Sequence, residues 1–146
     1  MATRLLSGAC GVGKTQAAVR SAVSIAREGG RALYIAPTRA LAEQFAVSVE
    51  REKIRVARAF GRKLGENCEN PDLDIAVALG EGFGPICQSC SSRHRCGYIA
   101  GINALAFWDS PVVVTTYHFV AWSLPQETPQ PELVVVDDIN DPVLLA

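Results

Sequence analysis

The sequence predicts a three-layer α/β domain with a mostly parallel sheet and an inserted cysteine-rich segment. Three observations predict it. Apolar strand-like runs alternate with amphipathic stretches; the runs are continuous and rich in β-branched residues, as strands covered on both faces require; and four of the five cysteines fall between the third and fourth runs.

The first strand is short, Arg4 to Leu6. TQAAVRSAVSIAREGG follows as a helix whose apolar face is Ala17/Ala18, Val19, Val23 and Ile25/Ala26, stopped by Gly29 and Gly30. RALYIAP, Arg31 to Pro37, reads as a buried strand, and RALAEQFAVSVEREK, from Arg39, as a second amphipathic helix. IRVARAF, Ile54 to Phe60, gives a third strand and a βαβαβ order. Residues 61–97 form a Gly-rich, cysteine-bearing insertion with too few large apolar residues to order itself without a ligand. A short helix through Ala106, the strand PVVVTT, a short helix HFVAWSL, the loop QETPQPE and the strand LVVVDD complete the chain.

The 146 residues suffice for one domain, and 49% hydrophobic composition supplies its core. A net charge of −1 leaves no global basic field, so any nucleic-acid contact has to be local. No run approaches the roughly 18 apolar residues of a membrane span, and MATRLLSGACG lacks the apolar core of a signal peptide. A cytoplasmic location without membrane contact is expected. In a reducing compartment, clustered thiols point to a metal before disulfides.

GACGVGKT, Gly8 to Thr15, meets every fixed position of G-x-x-x-x-G-K-[ST] and lies between a strand and a helix. Gly8, Gly11 and Gly13 let the backbone curl so that successive N–H groups face a phosphate. The following helix aims its positive end at the same place, Lys14 reaches the β- and γ-phosphates of ATP, and Thr15 offers a hydroxyl to Mg²⁺. Cys10, inside the loop, reads as a small filler. LVVVDD supplies the partner acids: Asp137 to hold Mg²⁺ and Asp138 to orient the attacking water. Lys14, Asp137 and Asp138 are the candidate catalytic residues.

APTRALAEQ, Ala36 to Gln44, resembles motif Ia of superfamily 2 helicases, with GACGVGKT and VVVDDIN standing where motifs I and II would be. FGRKLGENC, the spacing C-x2-C-x5-C and VVVTTYHFV resemble more specifically the XPD/DinG group, over Leu5 to Asp141. The resemblance implies a RecA-like ATP-binding lobe over residues 1–146, with an iron-sulfur insertion at 61–97. It also implies ATP-driven movement on single-stranded DNA, with a second RecA-like lobe on the same parent protein or on a separate chain.

Cys68, Cys87, Cys90 and Cys96 follow the spacing C-x18-C-x2-C-x5-C, which contains a single C-x2-C knuckle. A structural zinc site often pairs two such knuckles, and the placement matches the family's 4Fe-4S cluster. Zn²⁺ remains the alternative, since four thiolates serve both metals and His94 offers an imidazole. The resemblance further implies that Thr38, Arg39, Thr115 and Thr116 face the nucleic-acid strand, with Arg93 and Arg95 adding charge near the insertion; Thr38 and Thr116 are equally good helix caps.

The sequence departs from the family at three places. Motif II reads DDIN instead of D-E-A-H, no adenine-reading segment precedes the phosphate loop, and the chain ends soon after motif II. A fragment or truncated form with weak ATP hydrolysis is therefore expected. The competing readings are a stand-alone nucleotide- and zinc-binding regulatory module, and a P-loop kinase, against which the PTRALAEQ helix speaks.

Overall fold

The computed structural model describes residues 13–79, 83–123 and 129–137. The expected first strand, Gly8, Cys10, Gly11 and Asp138 lie outside them. Helix α1 (Lys14–Arg27) leads to strand β1 (Ala32–Ala36), then α2 (Arg39–Glu50) and β2 (Val56–Ala59). The cysteine-bearing stretch 61–97 holds α3 (Leu73–Leu79), α4 (Phe83–Ser89) and a 3₁₀ turn at Arg93–Arg95. Beyond it come α5 (Gly97–Phe107), β3 (Val112–Thr116), α6 (Tyr117–Ser123) and β4 (Leu133–Val136). All strand pairs are parallel, in the order β2-β3-β1-β4. Among the described residues no helix is long and apolar enough to cross a membrane.

The central strands β1 and β3 are covered on both faces, which is why they read as apolar runs, whereas Val134 and Val136 of β4 are exposed. On one face Ala32, Tyr34 and Ala36 of β1 and Val112 and Val114 of β3 pack under Ala18, Val19, Ala22 and Val23 of α1 and Phe45 and Val49 of α2. On the other, Leu33, Ile35 and Val113 meet Tyr98, Ala104 and Leu105 of α5 and Phe119 of α6. This is the three-layer α/β architecture, with β1 and β3 central.

Local chemistry sets the boundaries. Gly29, at φ +81°, closes α1 in the left-handed conformation open to glycine. Thr38 opens α2, its Oγ1 accepting from the Leu41 N–H at 3.3 Å. Trp108 closes α5 at φ 51°, where glycine is the usual residue. Its buried ring, packed with Leu105 and Phe119, holds that strained backbone in place.

The cysteine-bearing segment carries local structure of its own. Asn70 Oδ1 accepts from the Asp72 N–H at 3.0 Å, a side-chain turn that launches α3. Leu73 is buried, whereas Ile75 and Leu79 are exposed. Asn67 ties the insertion down. Its side chain accepts from Lys63 N at 2.7 Å and donates to Gly61 O at 2.9 Å, and its carbonyl accepts from Tyr98 N at 3.2 Å.

Candidate nucleotide site and cysteine segment

The C-terminus of α1 lies at the edge where β1 and β4 begin. There Gly30 N donates to Ile25 O at 2.9 Å, and the Arg31 N–H donates to Glu132 Oε2 at 2.6 Å. The helix packs across β1 and β4. Fourteen residues carry it about 20 Å, on the order of the strands' own length. Its N-terminus therefore sits toward the edge where β1 and β4 end. Gly13 caps it at φ +80° with no side-chain cap, and a Cβ there would meet nothing within 4 Å. Gly13, having no side chain, brings no cap of its own to the first turn, and a helix N-terminus of this kind suits a phosphate cradle. Lys14 and Thr15 are exposed at this end.

Asp137 follows β4 directly and extends its ladder, its N–H donating to Ile35 O at 2.9 Å. Tyr34 is in register with Val135, so Asp137 is its diagonal neighbour on the same face of the sheet, the face that α1 covers. The Tyr34 hydroxyl donates to Asp137 Oδ2 in a short hydrogen bond, and Tyr117 donates to the Asp137 carbonyl oxygen. Burial, then the adjacent Asp137 carboxylate, push the Tyr34 phenol above its ordinary range, so it stays a donor at any working pH. Neither tyrosine was singled out by sequence, since the contact from Tyr34 spans 103 residues and needs β1 beside β4. An acidic carboxylate and a glycine-capped helix N-terminus at one end of one sheet face are compatible with a magnesium nucleotide.

The expected nucleic-acid residues divide. Thr38 is exposed beside Arg39 at the end of β1. Arg39 is half-buried, pairing with Glu66 at 2.5 Å, donating to Gly61 O and lying over the Phe60 ring, so it fastens α2 to the start of the insertion. Thr116 is buried and its Oγ1 accepts from Phe119 N at 3.5 Å, a cap for α6. Thr115 is corrected. Strand β3 runs through Thr116, so Thr115 lies inside the sheet, fully buried, with its hydroxyl donating to Ala59 O at 2.7 Å. As placed, its hydroxyl serves the sheet.

The cysteines are close without converging. Arg62 Nη2 donates to Cys87 Sγ at 3.1 Å, and the same guanidinium lies 3.8 Å from the centre of the Tyr98 ring. Cys96 Sγ–H donates to Asn67 O at 3.7 Å, and Cys68 is buried in the turn closed by its N–H to Lys63 O at 3.2 Å. Among the described residues no three His, Cys, Asp or Glu side chains gather where a metal would sit. The expected tetrathiolate is not formed in this arrangement, because Cys87 and Cys96 are turned to Arg62 and to a backbone carbonyl. As placed, the four thiols are not gathered, and binding a cluster or a zinc ion would require Cys87 and Cys96 to turn from their present partners.

The fold and this end of the sheet define an α/β nucleotide-binding lobe. The family model described as DEAD/DEAH box helicase matches residues 3–77, just over half of the chain. The chain belongs to the DEAD/DEAH box helicase family, and this membership implies use of ATP and Mg²⁺ and binding to nucleic acid. No curated protein matches it significantly.

Proposed function

We propose that the chain is the ATP-binding lobe of a DNA helicase of the XPD/DinG type, coupling ATP hydrolysis to movement on single-stranded DNA. One observation carries the reading: the N-terminus of α1, which opens at Gly13, lies toward the end of the sheet face where β4 leads into Asp137. Gly8, Gly11 and Gly13 would cradle the phosphates, with Lys14 on the β- and γ-phosphates. Thr15 and Asp137 would hold Mg²⁺, which supplies charge neutralisation to the transferring phosphoryl group. Asp138 is assigned to orient the attacking water.

Thr38, Arg39 and Thr116 are the residues assigned to the nucleic-acid strand. The iron-sulfur part of the reading is supported by the order and spacing of Cys68, Cys87, Cys90 and Cys96. No catalytic step depends on that metal.

Nucleotide titrations test the proposal. Only ATP places charge at the Lys14 ammonium, and a charge-assisted hydrogen bond is worth about 1.5–3 kcal/mol. Lys14→Ala should therefore weaken ATP binding by about 10- to 100-fold and leave AMP binding nearly intact. Equal losses for both nucleotides would remove Lys14 from this role. Asp137→Asn should remove the magnesium dependence of ATP binding.

A further inference from the structure

We propose that Tyr34 is a positioning residue for the magnesium carboxylate. Its hydroxyl occupies Asp137 Oδ2 and so fixes Oδ1 as the oxygen left for the cation, while Tyr117 fixes the Asp137 main chain. The inference rests on the reading of Asp137 as the carboxylate that holds Mg²⁺.

Three anchors converge on one residue. The Asp137 N–H is held by Ile35 O at 2.9 Å, its carbonyl oxygen by Tyr117 and its Oδ2 by Tyr34. Tyr34 itself has little freedom. It is 2% exposed, and its ring lies flat on Phe45 of α2, with centroids 3.8 Å apart and planes 5° from parallel. A ring clamped between sheet and helix delivers its hydroxyl to a single point. That point is one oxygen of a carboxylate at the exposed end of β4, which otherwise rotates about its side-chain bonds.

A carboxylate that serves a cation has to present one oxygen in a constant direction, and hydrogen bonds to its other oxygen do this. Ordinary core packing accounts for the Tyr34 ring but puts no requirement on what its hydroxyl meets. The link also ties the metal carboxylate to α2 through the Tyr34–Phe45 stack, and α2 begins at Thr38 and Arg39.

The experiment is a magnesium titration of ATP binding by the purified chain, repeated in EDTA, with Mn²⁺ resonance as a direct report of the bound cation. Tyr34→Phe keeps the ring and its stack and removes only the hydroxyl. It should raise the Mg²⁺ concentration needed for half-maximal binding by about 10- to 100-fold, alter the Mn²⁺ signal and leave binding in EDTA unchanged. Tyr117→Phe should act in the same direction, and it carries the test if Tyr34→Phe does not fold.

A wild-type magnesium requirement in the tyrosine variant, beside its loss in Asp137→Asn, overturns the role of Tyr34 and leaves the carboxylate reading standing. A wild-type requirement in Asp137→Asn overturns the carboxylate reading and the proposal together. An equal loss of binding with Mg²⁺ and in EDTA marks Tyr34 as packing only and also overturns it.

Discussion

Gly101 of α5 rests directly on Ala59 of β2: a Cβ at Gly101 would fall 2.9 Å from the Ala59 Cα and 2.9 Å from the Arg58 carbonyl oxygen. Both neighbours are backbone, so neither can swing aside. Alanine gains about 1 kcal/mol over glycine in a helix interior, but lifting α5 would unseat Leu105 and Tyr98 from the core they share with Ala59. Gly101→Ala should cost about 1–3 kcal/mol net, read as a lower urea midpoint. An unchanged midpoint would mean that α5 shifts without loss.

Arg58 of β2 reaches across to two acids of α2, pairing with Glu43 at 2.9 Å and with Glu50 at 2.7 and 3.0 Å in a parallel fork. The hydrogen bonds from Arg58 hold the Glu50 carboxyl below its usual range, and the two carboxylates raise the guanidinium still further. A lowered acid contributes stability that is present above the unfolded carboxylate value, near 4.3, and is lost as pH falls through the folded value. The pairs are about one-third exposed, so solvent and salt weaken them. Arg58→Met should cost about 1 kcal/mol at pH 7 and less than that at pH 3, so the two melting curves should converge in acid. A gap that persists at pH 3 would assign the loss to packing.

Thr38 is a helix cap in the structure and a nucleic-acid residue in the proposal, and two substitutions separate these roles. Thr38→Ala removes the acceptor for Leu41 N and should cost about 1 kcal/mol; Thr38→Ser keeps it. If the hydroxyl also meets a phosphate, single-stranded DNA binding, followed by anisotropy at two salt concentrations, should weaken in the alanine variant and hold in the serine variant. Stability loss with unchanged DNA affinity would leave Thr38 a cap alone.

The elements legible in the sequence are those whose signal is local. ALYIA, VVVTT and LVVV are unbroken apolar runs, Gly29 marks the end of α1 and Thr38 the start of α2, and the structure has each of them. What was not legible depends on neighbours brought in by the fold. The strand PVVVTT is legible, but the bond from the Thr115 hydroxyl to Ala59 O is not, because it needs β3 laid beside β2. The helices α3 and α4 have seven residues each, too few for a periodic pattern to separate from a loop. Arg58 meets Glu43 and Glu50 only because β2 returns beneath α2. Gly8 and Gly11, expected at the phosphates, and the second acid Asp138 lie outside the described residues; of the expected nucleotide-site residues the structure describes Gly13, Lys14, Thr15 and Asp137, and it adds the two tyrosines beside Asp137.

The cysteine segment offers the last prediction. Asn67 joins the turn at Cys68 to the start of α5 at Cys96, and a Cβ at Gly97 would lie 3.1 Å from the Asn67 Cβ, so the two turns are in close contact. Arg62 brings Cys87 to the same neighbourhood, while Cys90 contributes its carbonyl to Arg93 N at 3.2 Å in the 3₁₀ turn. A metal would have to draw Cys87 away from Arg62 and Cys96 away from the Asn67 carbonyl, and metal–thiolate bonds far outweigh those two contacts. If one binds, anaerobically purified protein should contain iron or zinc, and serine at Cys68, Cys87, Cys90 or Cys96 should each lower that content. Cys10→Ser should not. Iron with visible absorbance supports the XPD/DinG type; full zinc occupancy supports a zinc module instead. Asn67→Ala separates scaffold from ligand, because it keeps all four thiols and removes the side-chain bonds to Lys63 and Gly61. It should loosen the insertion in hydrogen exchange whether or not metal is bound. A metal-free wild type, protected over residues 61–97 as fully as the rest of the domain, would show that Asn67 and its neighbours order the insertion without any metal.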